Sequence, residues 1–505
     1  MNKRIFGLLL LAISAQTVSA QDEYDALRYS LYSVQGTARG MSIGGAVGSI
    51  GGDFTSLSVN PAGIGVYRSG EISFSPSFSA SNTETKYLNS TSSSSASKMN
   101  FTHFGIVLTH AKKGNAYKKS AWKTASFAFG MNRQSTFKNQ LYYTGNNYNS
   151  SIIERFADDF NRLGGLNNNT LGMVNYGAYA AYQTYLIDRG MGADSNQAVS
   201  YVPYSDGLIQ QKRVITRGGM TEYVISGGGN YKEKLMLGAT LGITMVNYER
   251  DFAFEEQDLS GKLNNDFKYL QFTENLKTVG TGINLKIGAI YKPNNMLRLG
   301  LALHTPTHIE LNDQSSISMT SHTDSLLLHN DPNADPAVRY VQDTALIFKY
   351  ALNTPFKAVG SFAIFFNQYG FLTADIEYVN YSGMKYDFGT GYENESQAAN
   401  AVIQKTFKNA MNIRIGGEAK LGQVGIRGGY AYQGSPYQLS DKGSAIHSIS
   451  CGVGIRGKSW YLDGSYIHRF QNLTDTPYLI DRTSVASADV KTQNGNVVVT
   501  LGFRF

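Results

Sequence analysis

From residue 71 onward the chain is written largely in segments of about ten residues where apolar side chains alternate with small or polar ones. The last segment, 496–505, is the clearest. Val497, Val499, Leu501, Phe503 and Phe505 share one face, and Val498, Thr500, Gly502 and Arg504 share the other. Leu237, Ala239, Leu241, Ile243 and Met245 alternate with Gly238, Thr240, Gly242 and Thr244. Leu297, Leu299, Leu301 and Leu303 alternate with Arg298, Gly300, Ala302 and His304. A period of two makes these strands. It does not say which face meets the core, because a soluble sandwich buries its apolar face and a membrane barrel turns it outward.

The N-terminus helps to choose. Lys3 and Arg4 precede the apolar run 5–13 and the small residues 14–20, the pattern of a secretory leader cleaved after Ala20. Beyond residue 20 no apolar run approaches the ~20 residues of a helical span. Membrane insertion must then use strands, and strands in lipid must close on themselves to satisfy their backbone. Charged residues are only 16 %, against about a quarter in soluble domains, while Gly (53) and Tyr (33) are abundant. The net charge of +7 reads as spread along the chain, which argues against nucleic acid. The one cysteine, Cys451, excludes an intrachain disulfide and reads as a small wall residue.

Periodicity gives strands over 71–81, 99–111, 122–135, 220–230, 234–249, 268–291, 296–309, 345–366, 370–385, 404–419, 423–433, 446–457, 459–470 and 494–505. The connections alternate long (82–98, 136–219, 250–267, 310–344, 386–403, 434–445, 471–493) and short (112–121, 231–233, 292–295, 367–369, 420–422, Lys458). Long outer loops and short periplasmic turns are the asymmetry of outer-membrane barrels. The expected fold is all-β, a 14-stranded antiparallel transmembrane β-barrel at 71–505, with both ends periplasmic. The terminal Phe505 resembles the C-terminal signal read by the barrel-assembly machinery. Within the long connections, 89–97 is serine-rich and reads as a polar loop tip. Residues 151–163 and 176–187 read as helical, a small lid on the extracellular loop 136–219.

Residues 21–70 precede the first strand and are too glycine-rich for another. Within them, 36–67 carries a Gly/Ala-rich stretch, then Asp53, then the turn Asn60-Pro61-Ala62-Gly63. This resembles the N-terminal hatch of the FadL/TodX family of outer-membrane hydrophobic-compound transporters. Lys292-Pro293, 297–300, 304–307, 352–356 and 375–378 agree with it, so the resemblance spans nearly the whole chain. It implies a barrel plugged by residues 21–70. Its ligand, a small hydrophobic molecule such as a long-chain fatty acid, occupies an apolar pocket and is released by hatch movement. The resemblance also implies lateral exit through a gap made by an inward strand kink, which the sequence does not locate, and a monomer. The Ser-Leu-Ser-Val spacer 56–59 and the enlarged 136–219 loop depart from the family pattern.

The candidate site residues are Asp53, Asn60, Pro61, Ala62 and Gly63 in the hatch, where Asp53 and Asn60 suit Asx-turns on hatch backbone. By alternation Lys286, Arg298, Asp375, Glu377, Arg414 and Arg427 face the lumen. They form either a bracing ion-pair network or, for Lys286, Arg298, Arg414 and Arg427, cations that meet a carboxylate head group. No catalytic residue, metal site or cofactor is expected. The eight histidines lack a nucleophile context, and Pro306 breaks the spacing of His304 and His308. Two other readings stay open: a structural or adhesive barrel acting through its long extracellular loops, and a haem receptor.

Overall fold

The computed structural model describes residues 23–191, 196–262, 265–323, 337–342, 345–439, 443–481 and 484–505. The leader expected at 1–20 lies outside them. The strands are β1 Glu71–Tyr87, β2 Ser90–Ala111, β3 Trp122–Thr136, β4 Asn139–Asn147, β5 Ile187–Arg189, β6 Ala198–Ser200, β7 Leu208–Tyr231, β8 Leu235–Asp258 and β9 Tyr269–Tyr291. They continue as β10 Leu297–His304, β11 His308–His322, β12 Ala337–Val341, β13 Leu346–Asn353, β14 Lys357–Phe365, β15 Gly370–Asn380 and β16 Lys385–Asp387. The last are β17 Asn409–Leu421, β18 Val424–Gln433, β19 Ile446–Arg456, β20 Trp460–Asp475 and β21 Ala488–Arg504.

All wall pairings are antiparallel, and β21 returns to pair with β1, which closes the ring. Two wall strands are broken in the middle. β10 continues as β11 after Thr305–Thr307, and β13 continues as β14 after Thr354–Phe356. Pro306 and Pro355 sit in these two adjacent breaks, where neither can donate to a ladder. Thr307 N donates to Thr354 Oγ1 (2.8 Å) and Thr354 N to Thr307 O (3.0 Å), so the two breaks satisfy each other. β3 likewise runs on into β4, β12 into β13 and β15 into β16, so that, counting each continued strand once, the closed wall has 14 strands, with the shorter connections at the end that carries Phe505.

The apolar face points outward, as a membrane wall requires. Val497, Leu241, Ile287 and Leu301 are exposed, while their neighbours Val498, Thr240, Lys286 and Ala302 are buried. Cys451 is on the exposed face. Trp122, Tyr291 and Trp460 are exposed near the short turns, the position of an interfacial aromatic girdle. Among the described residues no helix is long and apolar enough to cross a membrane.

Several connections expected as loops are strand. Of the serine-rich stretch 89–97, residues 90–97 lie within β2 and pair with β1 as far as a turn at Leu88–Asn89. Serine and threonine over that stretch read as a loop by composition, yet they pair in register with Thr83 and Thr85 above the membrane. The connection expected at 136–219 shortens to 148–207, because 139–147 and 208–219 join the sheet. Residues 404–406 end a helix, Glu393–Thr406, rather than begin a strand, and β15 stops at Asn380 instead of 385. The helices expected at 151–163 and 176–187 are present, as Ile152–Arg162 and Tyr176–Gln183.

Candidate functional site

Residues 36–67 lie inside the ring and touch wall strands around its circumference. Ala38 N donates to Thr500 Oγ1 on β21 (2.6 Å), Gly44 N to Ser450 Oγ on β19 (3.0 Å) and Gly48 N to Asp375 Oδ2 on β15 (3.0 Å). Thr102 on β2 donates to Gly36 O (2.8 Å), and His304 on β10 bonds Val59 O (2.9 Å). Wall glycines admit this close approach. A Cβ at Gly288 would stand 2.0 Å from Asn60 Oδ1, at Gly429 2.2 Å from Gly44 N, and at Gly105 2.2 Å from the Phe54 ring. Gly238 would meet Pro61 O at 2.3 Å and Gly416 would meet Ile43 O at 2.3 Å. No side chain fits between wall and plug at these points.

Asp53 and Asn60 hold the plug's own backbone. Asp53 accepts from Thr55 N (2.9 Å) and from Thr37 Oγ1 (2.8 Å). Asn60 accepts from Ala62 N (3.1 Å) and donates to Gly48 O (2.7 Å) and to Ala289 O of β9 (3.3 Å). Pro61 starts a 3-10 turn, Pro61–Val66, which also holds Ala62 and Gly63, all buried. These five residues therefore face hatch and wall, not an open cavity.

Three of the four expected lumen cations are committed to acids. Lys286 binds Glu222, which also accepts from Asn284 and from Ser58 of the plug. Arg414 binds Glu377 (3.2 Å). Arg427 binds both Glu418 (2.6 Å) and Asp463 (2.8 Å), and Arg39 of the plug reaches Glu418 at 3.1 Å. Arg298 makes no ion pair among the described residues. It donates to Ile50 O and stacks 4.3 Å from the Phe365 ring. The network thus bolts plug to wall. Glu222, Glu418 and Asp463 are the partners that the sequence reading left unnamed.

Above the plug, the helix Glu23–Arg28 and the following Tyr29 occupy the middle of the bore. Tyr29 meets Phe137 and Tyr248 edge-on, and Ala26, Leu27 and Tyr29 pack in one apolar cluster with Met220, Leu276 and Tyr350. The chain's own N-terminal segment thus fills this apolar part of the bore. The open space nearby is a polar cavity of about 180 Å³ lined by Tyr32, Asn100, Lys138, Gln433 and Arg469 among others. Arg469 faces inward by the same alternation as Asp463 on β20, but the sequence reading did not single it out. It donates to Ser33 Oγ and makes no ion pair among the described residues.

The wall kinks inward at Phe137 and Lys138. Below this point β3 pairs with β2 only as far as His103, so the edge of β2 above His103 has no backbone partner on that side. β4, which follows the kink, leans over the inner faces of β1 and β2. Thr85 donates to Tyr142 O (2.7 Å) and Ser94 to Gln140 O (2.6 Å). Two causes are visible. Phe137 turns its ring inward onto Tyr29 and Tyr248. Opposite, Gly218 adopts φ +100°, where a Cβ would stand 2.1 Å from Asn247 O, and the β3–β7 register shifts between Arg133 and Ser135. The seam between β2 and the kink borders the polar cavity, since Asn100 lies on one side and Ser135, Thr136 and Lys138 on the other.

The extracellular end is covered rather than open. Ile152, Ile153, Phe156 and Phe160 of the helix at 152–162, with Ala178, Ala180 and Ala181 of that at 176–183, form one cluster with Phe254, Leu270, Phe272 and Met319 of the wall. Ser151 and Glu154 form a capping box at the first helix. Under that cap, Glu256 of β8 accepts from Ser151 Oγ (2.5 Å), Ile152 N (2.9 Å) and Gln210 Nε2 (2.7 Å). Burial pushes the Glu256 carboxyl up to about 7, against the pull of these hydrogen bonds. Among the described residues no cluster of three or more potential metal ligands exists.

No family model and no curated protein matches the chain. Solved structures do. A Pseudomonas aeruginosa FadL homologue is similar at TM-score 0.56 and 12 % identity, covering 94 % of this chain and 100 % of its own. The Pseudomonas putida toluene transporter TodX is similar at TM-score 0.51 and 13 % identity, covering 94 % and 100 %. The closed 14-strand wall, its outward apolar face and these two likenesses lead to one statement: the chain is an outer-membrane β-barrel of the FadL/TodX fold.

Proposed function

We propose that this chain is a transporter of the FadL/TodX type that carries small hydrophobic molecules, such as long-chain fatty acids, across the outer membrane, and that it is not an enzyme. One observation carries the reading. The bore is closed by plug and lid, whereas the wall's backbone ladder is interrupted along the seam beside β2 above His103, next to an interior cavity. A greasy solute gains from leaving sideways, because apolar surface is stabilised away from water by about 25 cal/mol per Å². A protein that only braced the envelope or adhered through its loops has no use for an inward kink with a cavity behind it.

In this reading, solute displaces Tyr29 and the helix before it from the apolar cluster. Arg469 holds a carboxylate head in the polar cavity by charge-assisted hydrogen bonds. The upper part of the hatch, residues 23–35, moves to release the solute, while Asn60 and Asp53 keep the turns of the plug beneath it intact.

The test is uptake of a labelled fatty acid by cells that lack their own transporter. In a Cys451→Ser background, Asn100→Cys with Ser135→Cys would bridge the seam. Uptake should fall to background on oxidation and return on reduction. Unchanged uptake in the bridged protein sinks the lateral route. Unchanged uptake in cells without the protein sinks transport itself.

A further inference from the structure

The charge that reads as dispersed along the sequence is gathered in space. Three neighbouring periplasmic turns carry Lys112, Lys113, Lys118, Lys119, Lys123, Lys232, Lys234 and Lys292. The turns are tied together: Lys232 N donates to Ala121 O (2.7 Å) and Lys292 N to Lys234 O (2.7 Å). Their one acid, Glu233, is already bound by Arg68 and Tyr117. The remaining periplasmic turns, at 366–369, 422–423 and 457–459, contain a single lysine, Lys458, with Lys420 close by.

Directly above the basic turns, the lipid-facing wall is dented. A groove of about 650 Å³ runs across β3, β7, β8, β9 and β10, bounded by Trp122, Leu237, Ile287, Leu301 and Leu303, with Gly227 and Ala289 in its floor. The dent has a structural cause. Small residues, Ala125, Gly227 and Ala289, stand between the large outward side chains here, while on the inner side Gly228, Gly238 and Gly288 give room to Asn60, Pro61 and Ile64 of the plug. Trp122, stacked edge-on with Tyr231 at 5.5 Å, and the exposed Tyr291 separate groove from lysines and mark the head-group level.

We propose that this face is a specific site for an anionic phospholipid of the periplasmic leaflet. Its acyl chains lie in the groove, and its phosphate meets Lys123, Lys232, Lys234 and Lys292. An apolar slot alone would take any lipid. The eight lysines at its lower rim select a negative head group, each basic side chain near a membrane surface contributing about 1 kcal/mol of attraction. The proposal is independent of what the barrel transports.

The full-length protein in detergent is offered phosphatidylglycerol or phosphatidylcholine with identical chains, and retained lipid is counted by native mass spectrometry. Wild type should keep phosphatidylglycerol at collision energies that strip phosphatidylcholine. Combined replacement Lys123→Gln, Lys232→Gln, Lys234→Gln and Lys292→Gln should cut phosphatidylglycerol retention by roughly tenfold or more. Lys420→Gln with Lys458→Gln should leave it unchanged. Gly227→Phe should remove retention through the groove alone, since an added Cβ there meets nothing within 4 Å and the wall tolerates it. Heat-modifiable gel migration verifies folding of each variant, and the wild-type comparison of the two lipids needs no variant. Equal retention of the two lipids, full retention in the fourfold variant, or equal loss in the control pair would each overturn the proposal.

Discussion

The lower bore and the extracellular lid close the same cylinder by opposite means. Below, residues 36–67 are held by backbone-to-wall contacts so close that only glycine fits, and by ion pairs among groups with almost no access to solvent. Above, the lid rests on side chains: an aromatic cluster, a helix cap and one buried carboxyl poised near neutrality. A contact made by backbone leaves no room for adjustment, while one made by side chains can be loosened by rotation or by a proton. The lower closure is therefore the fixed part and the upper one the part that answers to conditions.

The contrast can be tested by breaking each closure in turn. The largest effect is expected from Glu222→Leu, which strands the buried Lys286 charge beside Ser58 of the plug. It should cost about 3–5 kcal/mol of urea stability in micelles. A cost below about 1 kcal/mol would mean that water reaches this pair and that the plug is looser than its contacts imply.

Next comes pH at the lid. Burial raises Glu256 to about 7 in the folded protein, above its free value, so the folded form binds the proton more tightly. Docking of the lid is then strongest below about pH 4.5, weakens as pH rises, and has lost this contribution above about 7, up to about 3 kcal/mol in all. Amide exchange across 152–162 should speed up between pH 5 and 8 beyond its intrinsic rate, while exchange across 38–66 should not. Glu256→Gln should abolish the difference.

Smaller still is Gly429→Val, which drives a side chain into Ile43 and Gly44 and should destabilise by about 1–3 kcal/mol with new protease cleavage in the plug. Gly464→Val, with nothing within 4 Å, should stay within about 0.5 kcal/mol of wild type. The smallest effect is Ser151→Ala. Loss of the cap should cost about 1 kcal/mol, visible only as faster exchange in the lid helix.

How much of this the sequence discloses follows from the range of each interaction. Wall strands are legible because alternation is local: each of the 14 segments read by periodicity overlaps a wall strand, and Val497 and Leu301 point outward as a barrel requires. The inward direction of Lys286, Arg414 and Arg427 is legible for the same reason. Their partners are not, because Lys286 and Glu222 stand 64 residues apart and meet only through register across three strands. The kink at Phe137 carries no proline or glycine of its own; its signal is Gly218 on the neighbouring strand, 81 residues later in the chain. Strand extension above the membrane was hidden by composition, since the serines of β2 pair as strand while reading as loop. The short helix that fills the bore, Glu23–Arg28, is too brief for periodicity to register.

The plug joins β1 through only Arg68, Ser69 and Gly70, and β1 is one side of the joint that shuts the ring against β21. A stopper so tethered, with bulky Phe54 against Gly105 and Gly130 where β2 and β3 are paired, has no passage at that level through which to arrive late. Assembly must wrap the wall around a segment already in place, which makes the meeting of the first and last strands the final event of biogenesis and the plug a mandrel on which the cylinder is formed.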